Sequence, residues 1–167
     1  KKIESNAQLL HIPIKIFETN IFDVANKTEK SPCYLCARMR RGHLYKNAQS
    51  LGCNKIALGH HLDDAAETFI MNLFGNGRAE CFSPVSYLSR KDLYMIRPLV
   101  FCEESDIRRA VKRADLPVVK SGCPADGVTA RQDTADLIST LEKQFPDLRH
   151  KVMGAMERAD IDGWGSK

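Results

Sequence analysis

The chain has 167 residues, 43% of them hydrophobic and 28% charged, with a formal net charge of +4. That length suits one ordinary domain with enough apolar material for a core, and the mixed charge signs argue against wholesale disorder. No apolar run approaches the roughly 20 residues that span a bilayer, and the start Lys1-Lys2-Ile3-Glu4-Ser5 lacks a secretory pattern, so the expectation is a soluble, cytoplasmic protein without a membrane partner.

In chain order, residues 12–19 (IPIKIFET) read as a short strand. Helical spacing follows from about Cys36 to Leu51, with Leu44, Ala48 and Leu51 on one face and Gly52 as the stop. Residues 55–59 (KIALG) form a compact apolar strand feeding a helix from about Asp63 to Phe74, where Leu62, Ala66, Phe69, Ile70 and Leu73 share a face. A loop over 78–92 with a possible hairpin leads to an extended segment, 93–100.

Ser105 or Glu104 then caps a helix with Ile107, Ala110, Val111 and Ala114 inside and Arg108, Arg109, Lys112 and Arg113 outside. Residues 117–119 read as another strand. Two helices follow, carrying Leu137, Ile138 and Leu141, then Leu148, Val152, Ala155, Met156 and Ala159, with Pro146 between them. The tail from Asp160 is expected to fray unless Trp164 pins it. Strands alternating with helices imply an α/β, Rossmann-like parallel sheet with flanking helices. The expected division is a partial α/β domain over 1–122 and a helical C-terminal segment over 123–167 packed on it.

Ligands of such sheets sit beyond the carboxyl ends of the strands, which points to residues 59–68 (GHHLDDAAET). Gly59 permits close backbone approach, and His60, His61, Asp63 and Asp64 stand at a helix N-terminus whose N–H groups and dipole favour phosphate. Asp63 or Asp64 could hold magnesium with phosphate oxygens. The plain alternative is helix capping, with Asp64 and Glu67 as a capping-box analogue. Arg97, at the end of an extended segment, is either a site residue or an ion-pair partner of Glu103.

Six cysteines in a chain without an export signal are expected to be buried, catalytic or metal-bound rather than paired. Cys33 and Cys36 form a CxxC at a helix start, and Cys123 lies in a Ser-Gly-Cys-Pro turn. Three thiolates suit a 4Fe–4S cluster with one open iron; zinc would need a fourth ligand such as His43; a site without metal remains open. Cys53, Cys81 and Cys102 read as structural. From Lys30 to Leu62 there are six basic residues (Lys30, Arg38, Arg40, Arg41, Lys46, Lys55) and no acid. Such a stretch is either a field for a polyanion or nucleotide phosphate, or a solvated face balanced elsewhere.

The ordered set Pro-Cys-x-x-Cys-x-Arg-x-Arg-Arg-Gly (32–42), Leu-Gly-His-His-x-Asp-Asp (58–64), Ile-Arg-Pro-Leu (96–99) and Cys123 resembles the TtcA family of PP-loop ATPases, which thiolate position 2 of a tRNA cytidine. The resemblance runs from about Ile12 to Met156 and implies a HUP-type fold. It also implies adenylation of the base by ATP with magnesium and sulfur delivery from a 4Fe–4S cluster. Cys33, Cys36 and Cys123 would be its ligands. Asp63, Asp64 and Arg40 would serve catalysis, and Gly59, His60, His61 and Arg97 would line the nucleotide site. Expected partners are tRNA, a sulfur donor such as a cysteine desulfurase, and a second copy in a homodimer.

Two departures from that pattern stand out: Asp126 occupies the position of a second cysteine after Cys123, and the SGGxDS phosphate loop is not in the sequence. The expectation is therefore a fragment lacking N-terminal strands and inactive by itself. Rival readings are a non-catalytic tRNA-binding protein and a PP-loop ATPase with a non-tRNA substrate.

Overall fold

The computed structural model describes residues 2–28, 32–119, 122–123 and 129–165. Along the chain these form α1 (Lys2–Leu9), α2 (Ile21–Asn26), α3 (Pro32–Ser50), β1 (Lys55–Ala57), α4 (Leu62–Asn76), β2 (Val85–Leu88), β3 (Leu93–Ile96), α5 (Glu104–Arg113), α6 (Ala130–Leu141) and α7 (Leu148–Arg158). A short 3-10 turn follows at Ile161–Gly163. The strands form one sheet in the order β1-β3-β2. Bonds from Tyr94 N–H to Asn54 O (3.0 Å) and Leu58 N–H to Ile96 O (2.9 Å) mark β1 and β3 as the parallel pair. β2 joins through a hairpin turn in which Asp92 takes the left-handed conformation that Asp tolerates (φ 48°). The sheet is therefore mixed, a parallel pair extended by one antiparallel strand.

By its internal contacts the chain divides into two compact units, Lys1–Ile56 with Tyr87–Met95, and Ala57–Ser86 with Ile96–Lys167. In the first, α2 packs on α3 through a short apolar stripe, with Ile21 and Ala25 buried. α3 begins at Pro32, whose missing N–H costs nothing at a first helical position. Only Ala48 of its 19 residues is buried, and Tyr45 O–H donates to Met95 Sδ at 3.2 Å.

Two expected strands do not form. Residues 12–19 form no strand, and Ile12, Ile14 and Ile16 are exposed. Residues 117–119 likewise carry no strand, with Val118 and Val119 exposed. A strand exists only as one side of a hydrogen-bonded ladder, and the sheet offers these alternating segments none.

The second unit has the larger apolar core. α4 packs against α6 and α7, burying Leu62, Ala65, Ala66 and Ile70 against Val100, Ile138, Val152, Met153, Met156 and Trp164. Leu62, Ala66 and Ile70 recur every four residues and so form one stripe. Gly77 ends α4 in the left-handed conformation (φ 63°).

Trp164 does pin the tail: it is buried, and its Nε1–H donates to Phe82 O at 3.0 Å. Gly165 follows where a Cβ would fall 2.7 Å from Glu157 O, closer than any side chain tolerates. α5, by contrast, buries no residue completely, and Ala110 and Ala114 of its expected inner face are exposed. No helix among the described residues is long and apolar enough to cross a membrane.

Candidate active site

Within the second unit, the chain leaves β1 through Gly59 and His60 and enters α4 at His61. His61 is the N-cap: its Nδ1 accepts from Asp64 N–H at 3.4 Å, while Asp64 Oδ2 accepts from His61 N–H at 3.0 Å. A reciprocal capping box thus fixes the turn, with histidine in the place usually taken by serine or threonine. The sequence-based pairing of Asp64 with Glu67 is not the box that forms.

Each aspartate has further partners. Asp63 Oδ2 accepts the N–H of Glu104, the first residue of α5, at 2.7 Å, so α4 caps α5 where its own N-cap residue Glu103 makes no side-chain capping bond. Asp63 Oδ1 lies 3.0 Å from Arg149 Nε of α7, and Arg149 also bonds Glu142. Asp64 Oδ1 meets Arg131 Nη1 of α6 at 3.1 Å. The same guanidinium reaches Glu67 at 3.4 Å and Thr68 Oγ1 at 3.1 Å. Burial raises the carboxyl pKa of Glu67, and Arg131 opposes that rise.

Arg131 and Arg149 were not singled out from the sequence, although a signal existed. Both are the second residue of a helix, where a positive charge opposes the macrodipole unless a carboxylate faces it.

His60 and Arg97 share an aromatic neighbour. The His60 ring lies 4.9 Å from the Phe82 ring, and the Arg97 guanidinium sits over that ring at 4.7 Å while donating to Ser83 O. Arg97 is only 8% exposed, so it clamps the segment after Cys81 as well as standing at the end of β3. Burial lowers the His60 pKa, with Asp64 pushing the other way. Its Nδ1 is buried without a hydrogen-bond partner among the described residues. Burial thus favours the neutral imidazole.

The remaining expected site residues belong to other elements. In the first unit, Cys33 and Cys36 fall in the first turns of α3, one exposed and one partly so, with Arg40 exposed on the same helix. Cys123, in the second unit, is exposed. Cys81 fits its structural reading: its thiol donates to Ala65 O, and burial pushes its pKa to about 11. Cys53, also read as structural, is exposed.

The donor chemistry can be tested against the groups the sequence suggests. Two thiols one turn apart at a helix start, where the dipole favours thiolate, suit iron or zinc. Among the described residues no three His, Cys, Asp or Glu side chains converge as a metal cage. Each oxygen of Asp63 and Asp64 is engaged, yet each carries a second lone pair. Either carboxylate therefore fits magnesium as a single ligand alongside phosphate oxygens, and not as part of an all-protein cage. A cleft of about 470 Å³ beside Asp63 is lined by Glu103, Glu104, Glu142 and Asp147 as well as Arg149 and His150. That acid-rich wall would repel a nucleotide's phosphates.

Comparison with known proteins gives one family match: the profile described as the PP-loop domain covers residues 1–125. The tRNA-cytidine(32) 2-sulfurtransferase of Syntrophotalea carbinolica is 42% identical over 126 residues, covering 74% of this chain and 49% of its own length. The enzyme of the same name from Geobacter sulfurreducens is 37% identical over 143 residues, 83% of this chain and 56% of its own. The chain thus spans about half the length of the curated relatives it matches. Among solved structures, the U34-tRNA thiolase NcsA from Methanococcus maripaludis, with its [4Fe-4S] cluster, superposes with a TM-score of 0.74. It covers 95% of this chain and 55% of its own at 23% identity, which establishes a shared fold. A profile matching three-quarters of the sequence, on an α/β fold with the Gly59–Asp64 turn at the end of a parallel strand, settles the family: the chain belongs to the PP-loop domain family.

Proposed function

We propose that this chain is part of an enzyme that thiolates position 2 of a cytidine in tRNA, using ATP to activate the base. The observation that carries the reading is the 42% identity to a relative named tRNA-cytidine(32) 2-sulfurtransferase, over a stretch that takes in most of the chain. In this reaction the C2 carbonyl oxygen attacks the α-phosphate of ATP and pyrophosphate leaves. Sulfur then bonds to C2 as the carbon–oxygen bond breaks and AMP departs.

The residues divide the work as follows. The backbone at Gly59 and His60 would face the phosphates, since the N–H groups of His61, Leu62 and Asp64 are bonded within the fold. His60, whose charged form burial disfavours, lines the nucleotide site beside Gly59. Asp63 or Asp64 would hold magnesium, which would offset phosphate charge when bound. His61 fixes the turn, and Arg97 fixes Phe82 beneath His60. Cys33, Cys36 and Cys123 would be the ligands of an iron–sulfur cluster, which would supply the sulfur chemistry when bound. Arg40 offsets negative charge near the thiols. The sulfur would come from a donor such as a cysteine desulfurase, and two copies would form the working enzyme.

Nucleoside analysis of tRNA from a strain lacking the gene tests the reading. It predicts loss of 2-thiocytidine, recovered with the wild-type gene and not with Cys33→Ala. Unchanged 2-thiocytidine in the deletion strain overturns it.

A further inference from the structure

α3 carries a feature that sulfur and nucleotide chemistry leave unexplained. Its 19 residues include Arg38, Arg40, Arg41, His43 and Lys46 and no Asp or Glu. Among the described residues, no carboxylate pairs with Arg38, Arg40, Arg41 or Lys46. α5 shows the contrast: its exposed Arg108 and Arg109 are bound by Glu104 and Asp106 of the same helix. An exposed helix with unpaired cations on successive turns works against itself, because like charges three residues apart repel. Such a surface is poised for an anion from outside.

The cations fall on distinct faces. At roughly 100° per residue, Cys33, Cys36 and Arg40 (i, i+3, i+7) share one side of α3. Tyr34, Arg38 and Arg41 (i, i+4, i+7) share another, roughly 140° away. The second stripe continues to Tyr45, which is partly buried and bonded to Met95, so the helix is anchored at one end of the stripe and open at the other. Tyr34 is 63% exposed, an aromatic ring left in water on the same helical face as two guanidinium groups that no carboxylate pairs among the described residues.

We propose that Tyr34, Arg38 and Arg41 form a docking face for the RNA substrate, distinct from the cysteine face of the same helix. The two arginines bind backbone phosphates, and Tyr34 stacks on an unpaired base. Single-stranded RNA loops are recognised by this combination of cations and exposed aromatic faces. An acidic protein would satisfy the arginines but gives Tyr34 nothing to stack on. The inference rests on the tRNA reading above.

The test is binding of a fluorescent tRNA transcript to the 167-residue chain across a salt series. Arg38→Ala/Arg41→Ala should flatten the slope of log K against log salt by about 1.5, at roughly 0.7–0.9 per lost phosphate contact. Arg38→Lys/Arg41→Lys should keep the slope. Tyr34→Ala should weaken binding roughly tenfold at every salt concentration without changing the slope, and Tyr34→Phe should restore it. Arg108→Ala/Arg109→Ala removes the same charge from α5 and should leave the slope alone. If wild-type binding is salt-dependent and the α3 and α5 double variants flatten it equally, or neither does, the docking face is wrong while the tRNA reading stands. If the wild-type chain binds tRNA no better than an acidic polypeptide of equal charge, both fall.

Discussion

Arg131 holds three groups of α4 at once, and Arg131→Ala tests whether this clasp stabilises the second unit. Its side chain is 41% exposed, whereas Asp64 and Glu67 are 21% and 13% exposed. An exposed pair is worth about 0.2–1 kcal/mol, and breaking a fully buried one costs about 3–5 kcal/mol. This mixed geometry therefore gives about 2 kcal/mol. With a urea dependence of about 2 kcal/mol per molar, the midpoint should fall by about 1 M. Trp164 is the sole tryptophan and lies buried in the same unit, so its fluorescence reports the transition directly.

The pH dependence has a definite sign. Burial places the folded pKa of Glu67 above its ordinary 4.5, so the folded state binds the extra proton. This group therefore costs stability as pH rises from 4.5 through the folded value. Removing Arg131 raises the folded value further, so the deficit of the variant should be largest at neutral pH and shrink below 4.5. Arg131→Lys, which loses the planar fork but keeps the charge, should fall between. A midpoint unchanged at neutral pH, or a deficit equally large in acid, would refute the clasp.

Three further outcomes follow from packing and exposure. Trp164→Phe removes the donor to Phe82 O and part of the core, and should lower stability by about 2 kcal/mol by circular dichroism in urea; an unchanged midpoint would mean that the tail is not pinned. Leu93→Ala, at a completely buried position of β3, should cost about 3 kcal/mol in the same assay, whereas Val85→Ala, exposed on β2, should stay within about 0.5 kcal/mol; equal effects would contradict the burial. Near pH 8 only about a thousandth of Cys81 is thiolate given its raised pKa, so mass-spectrometric mapping of iodoacetamide alkylation should find Cys33 and Cys53 modified well before Cys81, and comparable rates would contradict its environment.

How much the sequence discloses depends on how local the cause is. β1 and α4 are legible because apolar period, glycine stop and acidic first turn all lie within residues 55–77. The alternation at 12–19 reads equally well as a strand, yet a ladder requires a neighbour that the segment itself does not encode. The Gly59–Asp64 turn is recognisable, but the partners of its aspartates come from positions 131 and 149 and the amide of residue 104, brought in by helix packing. Arg97 looks like a site arginine in sequence, and its burial over Phe82 emerges only in three dimensions. The helical position of Arg131 and Arg149, at N-terminal turns that disfavour cations, is the one hint that could have exposed the clasp beforehand.

The central claim is that three cysteines of this chain supply a cluster for sulfur transfer to tRNA. Anaerobic reconstitution with ferrous iron and sulfide, followed by iron analysis and visible spectroscopy, tests it most directly. The account predicts a brown protein with the broad absorption of an iron–sulfur cluster, its colour and iron lost in each of Cys33→Ala, Cys36→Ala and Cys123→Ala and retained in Cys53→Ala. A colourless chain that takes up one zinc, or a chromophore that survives all three substitutions, would contradict it.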